Sequence, residues 1–480
     1  MLQNKDITKV QEIKTYFKNS WLEPEFLSKH FNLLHFSKTS LLYSSVKECG
    51  VPFWDLLKLI LIFPFMNISS VGAALEKRSN VETIAQKDTY YRALGNQKMD
   101  WRRLLFLIVK RYLSMDKKFT APTDGYKCLI FDDSDLEKRG KKIEGVSKIY
   151  NHVQHRFIFG YKLLVAGYWN GCLFIPVDFS FHRENKENKI KKYGLSKKEY
   201  KQQKKTERDN KLPVFKRFKE LNVKKSEMVV EMFKRITKRK IDVEYILLDS
   251  WFTSMSLIKK LLKVNKQMHV IGMYKYNSKL NINGKESSIN QLRKNAGKVS
   301  RSRSLNLYYH QFVGELDGVT VKVFLSKRGK RGVWHTILTT DTKLNFTKAM
   351  DIYSIRWTIE VFFKEAKQLL GLGKCQSTNF DVQVAQTTII MMQYLLISLK
   401  YRMEAYETIG GMFKNIKQDY IEHTLNKRLM LVIAEILVVL DLLVDDIDFN
   451  EIAKKIASHG DLFSFNYKQS NNASVSNFAA

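Results

Sequence analysis

Four cysteines in 480 residues, Cys49, Cys128, Cys172 and Cys375, are too few and too scattered for a disulfide framework, and no C-x-x-C pair marks a zinc ribbon. Buried, reduced thiols are the expectation. Long uncharged apolar runs are missing too. Residues 56–65 and 388–399 are too short to span a bilayer, and residues 429–444 are interrupted by Glu435 and Asp441, so all three predict buried helices and no membrane partner. The opening MLQNKDITKV has none of the apolar character of a secretion signal, and a cytoplasmic protein is expected. His152 and His155 form an H-x-x-H pair, but no Cys or acid follows at finger spacing, which argues against a metal there. The scarcest charge is negative: 48 acids stand against 81 Lys and Arg, a net charge of +33. This excess predicts strong, salt-dependent attraction to polyanions, with nucleic acid the foremost candidate.

The chain is 44% hydrophobic and long enough for two to four domains. Residues 1–120 read as helical, with apolar residues recurring through 54–65 and 101–113. Interspersed Lys77, Arg78, Arg102, Arg103, Lys110 and Arg111 make this region a candidate DNA-end-binding domain. Strand character begins near Gly125. Asn170-Gly171, between apolar runs at 157–168 and 172–181, predicts a two-residue hairpin turn and hence a three-strand meander with the strand before it. Residues 183–240 are dominated by Lys and Arg until helical spacing returns at Phe215, Phe218 and 228–233. A strand at 245–248, a helix near 254–264 and a strand at 269–273 follow. Turn signals at Asn283-Gly284, Asp317-Gly318 and 329–332 then mark a β-rich stretch. After Tyr353 helices return and continue to about residue 460, and a polar tail at 469–480 is expected to be disordered.

Chemistry concentrates in three places. YSIRWTIEVFFKEAK, residues 353–367, reads as one amphipathic helix. At about 100° per residue, Tyr353, Arg356, Glu360 and Lys367 share one stripe beside an apolar arc of Ile355, Ile359, Phe362, Ala366 and Leu370. In KCLIFDDSD the apolar run 128–131 ends in Asp132, Asp133 and Asp135, and in VEYILLDSWFTS the run 245–248 ends in Asp249. An Asp after a strand commonly caps the next turn. Two such strands and the Glu360 helix, however, give one α/β sheet three carboxylates to gather, and gathered carboxylates need a cation between them.

An Asp ending a first strand, an Asp ending a later one, and Y-x2-R-x3-E-x6-K on a helix together resemble DDE transposases of the bacterial insertion-sequence-four type. The resemblance runs from about Lys127 to Leu399 and implies an α/β, ribonuclease-H-like catalytic core with a β-rich insertion, flanked by helical N- and C-terminal regions. On this reading 121–273 and 346–400 are the two parts of the core, 183–240 its basic segment, 274–345 the insertion, and 401–480 a helical region for dimerisation. The resemblance implies that Asp132, Asp249 and Glu360 are catalytic and hold Mg²⁺, for which Mn²⁺ substitutes. The D-x-S triplet with Ser134 puts the first role on Asp132, with Asp133 the alternative. Tyr353, Arg356 and Lys367 are implied to grip the DNA backbone. Trp334, in KRGKRGVWHTILTT, is the candidate for stacking on a flipped base, and His335 is the alternative one position along.

The implied function is cut-and-paste transposition: binding of terminal inverted repeats, two-metal phosphodiester cleavage and joining to target DNA, by a homodimer on paired ends. The nucleoid would be its place in the cell. The alternatives are a metal-dependent nuclease of the same fold without strand transfer and an inactive DNA-binding derivative.

Overall fold

The computed structural model describes residues 49–65, 85–119, 125–184, 191–329, 331–403 and 408–418, with Asn32, Leu34, His35, Ile68, Val71 and Gly72. Lys77, Arg78, nearly all of residues 1–48, and everything from 419 on, including the apolar run 429–444, most of the expected dimerisation region and the expected tail, lie outside the described residues.

Three helices come first: α1 (Phe53–Ile62), α2 (Lys87–Leu94) and α3 (Trp101–Phe119). Asp100 caps α3, its Oδ1 accepting from the Arg103 backbone N–H at 2.9 Å. The strands β1 (Cys128–Glu137), β2 (Ser147–Asn151), β3 (Arg156–Trp169) and β4 (Phe174–His182) follow. The basic segment folds into α4 (Lys197–Gln202), α5 (Pro213–Glu220) and α6 (Lys225–Lys238). Next come β5 (Tyr245–Leu248), α7 (Met255–Val264) and β6 (His269–Met273). The β-rich stretch holds β7 (Lys279–Ile282), β8 (Lys285–Ser288), α8 (Ile289–Asn295), β9 (Ser300–Ser302), β10 (Leu307–Leu316), β11 (Val319–Arg328) and β12 (His335–Thr339). Helices α9 (Phe346–Ser354), α10 (Trp357–Leu369) and α11 (Phe380–Met403) complete the order.

At the centre lies the strand order β4-β3-β1-β5-β6. The strands β1, β3 and β4 form an antiparallel meander, while β5 and β6 run parallel to β1. Every residue of β4 is buried, as expected of a strand covered on both faces. Helices α3, α5, α6, α10 and α11 all contact it. This is a ribonuclease-H-like α/β core. The β-rich stretch is continuous with it, since β12 pairs antiparallel with β6 and β11, β10, β7 and β8 extend the same sheet. Its hairpins turn where the sequence indicates. Asn283 and Gly284 have φ of 52° and 79°, and Asp317 and Gly318 have 49° and 74°, the two positive values of a type I′ turn.

Four expectations need correction. The β3–β4 connection spans four residues rather than two, because the Asn170 carboxamide accepts from the backbone of both Cys172 and Leu173 and wraps the turn around itself. The meander carries an additional strand, β2, paired to the end of β3 beyond β4. The acids of the first strand are not at its end: β1 continues to Glu137 because β3 supplies antiparallel partners along its whole length. Among the cysteines, only Cys128 is fully buried and Cys49 is exposed, although all four are free.

Helix α11 is long and apolar enough to cross a membrane by length and composition, yet 94% of its apolar window is buried inside the protein. Its apolar residues are not confined to one face, and it contacts α1, α2, α3, α10 and β4, as expected of a helix at the centre of a core. Arg102 of α3 is not a surface cation. It reaches Asp178 of β4 at 2.9 Å and Glu220 of α5 at 2.8 Å, tying the N-terminal helices to the core.

Candidate active site

Strands β1 and β5 are paired in parallel up to Phe131↔Leu248, so Asp132 and Asp249 are the next residues at one level of adjacent strands. Parallel register aims both toward one face. Burial pushes the Asp132 carboxyl up to about 7, and the charge of Asp249 adds to the rise. Asp249 is also raised, first by burial, against backbone hydrogen bonds that lower it. Its Oδ1 accepts from the N–H groups of Trp251 and Phe252 at 3.0 and 2.9 Å. The carboxylate therefore does cap the turn after its strand, as an Asp in that position commonly does, while its charge raises Asp132 and the charge of Asp133 raises both.

Room for that turn comes from Gly272 of β6. The Thr253 hydroxyl donates to the Asp249 carbonyl at 2.5 Å, and a Cβ on Gly272 would lie 2.2 Å from that hydroxyl oxygen.

Alternation along β1 sorts the remaining acids. Asp132 and Ser134 face α10, whereas Asp133 and Asp135 face the other side, where Lys225 Nζ meets Asp133 at 2.7 Å and Lys162 Nζ meets Asp135 at 2.8 Å. Of the two candidates for the first acid, Asp132 shares its face with the Glu360 helix.

The expected single helix over 353–367 is two, α9 and α10, joined through Ile355 and Arg356. At the junction the amides of Ile355, Arg356 and Thr358 bond three residues back. The hydroxyls of Ser354 and Thr358 bond the carbonyls of Asp351 and Ile355. Such tightening and side-chain competition interrupt the ladder. The apolar arc is as expected: Ile359, Phe362 and Ala366 are fully buried. Phe362 packs on Phe174 of β4 and edge-on to Tyr394 of α11, with ring centroids at 5.2 and 4.8 Å.

Arg356 at this junction is the hub of the site. Its guanidinium donates to Glu360 Oε1 at 2.6 Å, lies 3.7 Å from Asp132 Oδ2, and sits 5.8 Å from the centre of the Tyr353 ring. Glu360 stands in the first turn of α10, where the helix dipole favours a carboxylate. Further along, Lys367 Nζ donates to Ser134 Oγ at 2.7 Å and to the Asp135 carbonyl at 3.1 Å, fastening the helix to β1. Burial lowers the Lys367 pKa.

Asp132 and Asp249 thus come together, and Glu360 joins them through Arg356. Among the described residues no three His, Cys, Asp or Glu side chains gather into a metal-holding group. The pair nonetheless fits a hard divalent cation: the donors are carboxylate oxygens, and their desolvation and the repulsion from neighbouring acids are what such an ion relieves. Trp334, just before β12, is half-buried, stacked on His310 at 5.5 Å and flanked by Lys327 and Arg293. His335 is exposed at the start of β12.

Sequence reasoning missed the Lys225–Trp251 contact, 3.9 Å from ammonium to ring. It also missed the buried cluster in which Asp178 meets Arg102, Arg235 and Arg217. Burial would raise Asp178, but the three guanidiniums hold it down at about 2. The signal for the cluster was a lone acid within the apolar run FIPVDFSF, since an acid buried in a strand requires a partner.

No curated protein matches the chain. Among solved structures, the chain is similar to one described as the cryo-EM structure of a piggyBac transposase synaptic complex with hairpin DNA. Identity is 15% and the TM-score 0.36, and the match covers 83% of this chain and 72% of that one. The family model described as "Transposase DDE domain" matches residues 123–396, more than half of the chain and the whole interval that holds Asp132, Asp249 and Glu360. The chain belongs to the transposase DDE domain family.

Proposed function

We propose that this transposase is of the insertion-sequence-four type and that it binds the terminal inverted repeats of its own element, cleaves the ends and joins them to target DNA. The observation that carries the reading is the placement of Asp132 and Asp249 at one level of adjacent parallel strands, with Arg356 linking Asp132 to Glu360 on the neighbouring helix. Asp132, Asp249 and Glu360 would hold Mg²⁺, or Mn²⁺ in its place. A pair of such ions supplies activation of the attacking oxygen and stabilisation of the leaving one during in-line attack on a phosphodiester.

Arg356 serves as counter-ion to two of the carboxylates, and with Tyr353 it presents a cation and a hydroxyl group to the DNA backbone beside them. Lys367 fastens the Glu360 helix and adds positive charge beside Ser134. The net charge of +33 favours duplex binding throughout, and supports a nucleoid-associated, cytoplasmic protein. Two ends held together call for a homodimer, to which residues 401–480 would contribute.

Incubation of the purified protein with Mg²⁺, a labelled terminal-repeat duplex and a supercoiled plasmid tests the reading. Joined products are expected, and Glu360→Ala should eliminate them. Cleavage without joining would identify a nuclease instead. Lys367→Ala should weaken DNA engagement, and unchanged affinity and cleavage would remove it from the DNA contacts.

A further inference from the structure

The beginnings of helices α3, α5 and α11 meet around a cavity of about 210 Å³, away from the acid site. That is less than the roughly 300 Å³ at which pockets for drug-sized ligands start. Trp101 and Arg102 line it from α3, Lys216 and Arg217 from α5, and Asp381 from α11, with Lys211 from the loop before α5. Three positive helix ends and four cationic side chains therefore border one small space.

Most of the polar groups around it are already engaged. Arg102 is held by Asp178 and Glu220, and Asp100, a further lining acid, caps α3. Three atoms are not engaged. The Trp101 indole N–H, Arg217 Nη2 and Asp381 Oδ2 have no hydrogen-bond partner among the described residues, although Trp101, Arg217 and Asp381 are only 4%, 5% and 2% exposed. Buried polar atoms are rarely left so, and three on the walls of one cavity mark a place for a ligand.

The chemistry of that ligand follows from the three atoms. Two are donors beside a surplus of positive charge, since Arg102, Arg217 and Arg235 share only Asp178 and Glu220. Burial, and then the charge of Arg102, push the Arg217 guanidinium down to about 9, so an anion beside it relieves a real deficit. The third atom is an acceptor. Asp381 Oδ1 holds Arg208 at 2.8 Å, which leaves Oδ2 for a hydroxyl group. Phosphate near neutral pH has both anionic oxygens and a hydroxyl, whereas sulfate has lost its protons and can only accept.

We propose that this cavity binds a small phosphate compound, either inorganic phosphate or a hydroxyl-bearing phosphate monoester. Its oxyanion accepts from Arg217 Nη2 and the Trp101 indole, and its hydroxyl donates to Asp381 Oδ2. Bound there, it joins α3 to α5 and α11 and couples the attachment of the N-terminal helices to phosphate. The phosphodiester of a DNA backbone has no hydroxyl to donate, which separates this site from duplex binding.

Calorimetric titration of the full-length protein with inorganic phosphate, glycerol 3-phosphate and sulfate, at matched ionic strength, tests the site. Wild type should bind phosphate saturably and at least roughly tenfold more tightly than sulfate, the scale of one charge-assisted hydrogen bond. Asp381→Asn puts an amide donor where the acceptor stood, and should bring the two affinities to within about twofold. A role for Asp381 in structure alone would not move that ratio. Trp101→Phe keeps the ring, removes the N–H, and should weaken phosphate by roughly tenfold. Tighter binding of inorganic phosphate than of the ester would assign the free ion, and the reverse order a monoester; either supports the site. Equal phosphate and sulfate affinities in wild type, a comparison that needs no variant, would mean an adventitious ion only and overturn the proposal. Absence of saturable phosphate binding, or an unchanged preference in Asp381→Asn, would overturn it too.

Discussion

Arg356 carries the largest share of the site's organisation for a single side chain, because it neutralises Glu360 directly and reaches Asp132 on the facing strand. Asp132 itself is a carboxyl whose charge the fold tolerates poorly. It titrates near 7 in the folded protein against an ordinary 3.8, so the folded state holds a proton through that interval. The cost of ionising it is absent below the window, grows as pH rises across it, and is fully present above about 7. A divalent cation bound there must displace that proton. The rise in thermal midpoint produced by Mg²⁺ should therefore be small near about pH 5 and reach its full size above about pH 7. In Asp132→Asn this pH dependence should vanish. A Mg²⁺ effect of the same size at both ends of the range in wild type would contradict the assignment.

At the scale of elements, the site depends on close approaches that local sequence does not announce. Gly272 of β6 leaves space for Thr253, whose hydroxyl ties the Asp249 turn. Gly272→Ala should force that turn away, lower stability by about 1–3 kcal/mol and cut cleavage more than it cuts duplex binding. Equal cleavage by the variant and wild type would show that the turn tolerates the displacement.

Much of the element pattern could be read in advance. The Asn283-Gly284 and Asp317-Gly318 hairpins, the Ser254-capped helix α7 and the buried stripe of α10 follow from turn chemistry, capping and periodicity. The break at Ile355 and Arg356 could not be, because its cause is competition between backbone and hydroxyl partners within a sequence that otherwise keeps helical period. Nor could the annexation of the β-rich stretch to the core sheet, which rests on β12 pairing with the distant β6.

At the scale of the whole molecule, +33 suggests a surface of free cations, yet several are buried and structural. Arg208 reaches Glu144 and Asp381 at 2.5 and 2.8 Å with almost no exposure. Arg102 and Arg217 join Asp178 and Glu220. Composition could not separate these from exposed cations, because all but one of these acidic partners, Glu220 of Arg217, lie far away in the chain. Asp178→Ala would leave three guanidiniums without their shared acid and should cost about 3–5 kcal/mol in urea unfolding. A loss under about 1 kcal/mol would show that the cluster does not hold the N-terminal helices to the core.

The family of the chain and the register of Asp132 with Asp249 leave one claim to be measured: that three carboxylates act as a single metal-dependent centre on DNA. The direct measurement is Mg²⁺-dependent cleavage of a labelled terminal-repeat duplex by wild type, Asp132→Asn, Asp249→Asn and Glu360→Gln, with duplex affinity determined in parallel without metal. Each variant should lose roughly a thousandfold or more in cleavage rate while binding the duplex as wild type does. Cleavage by any of the three at the wild-type rate would contradict the account.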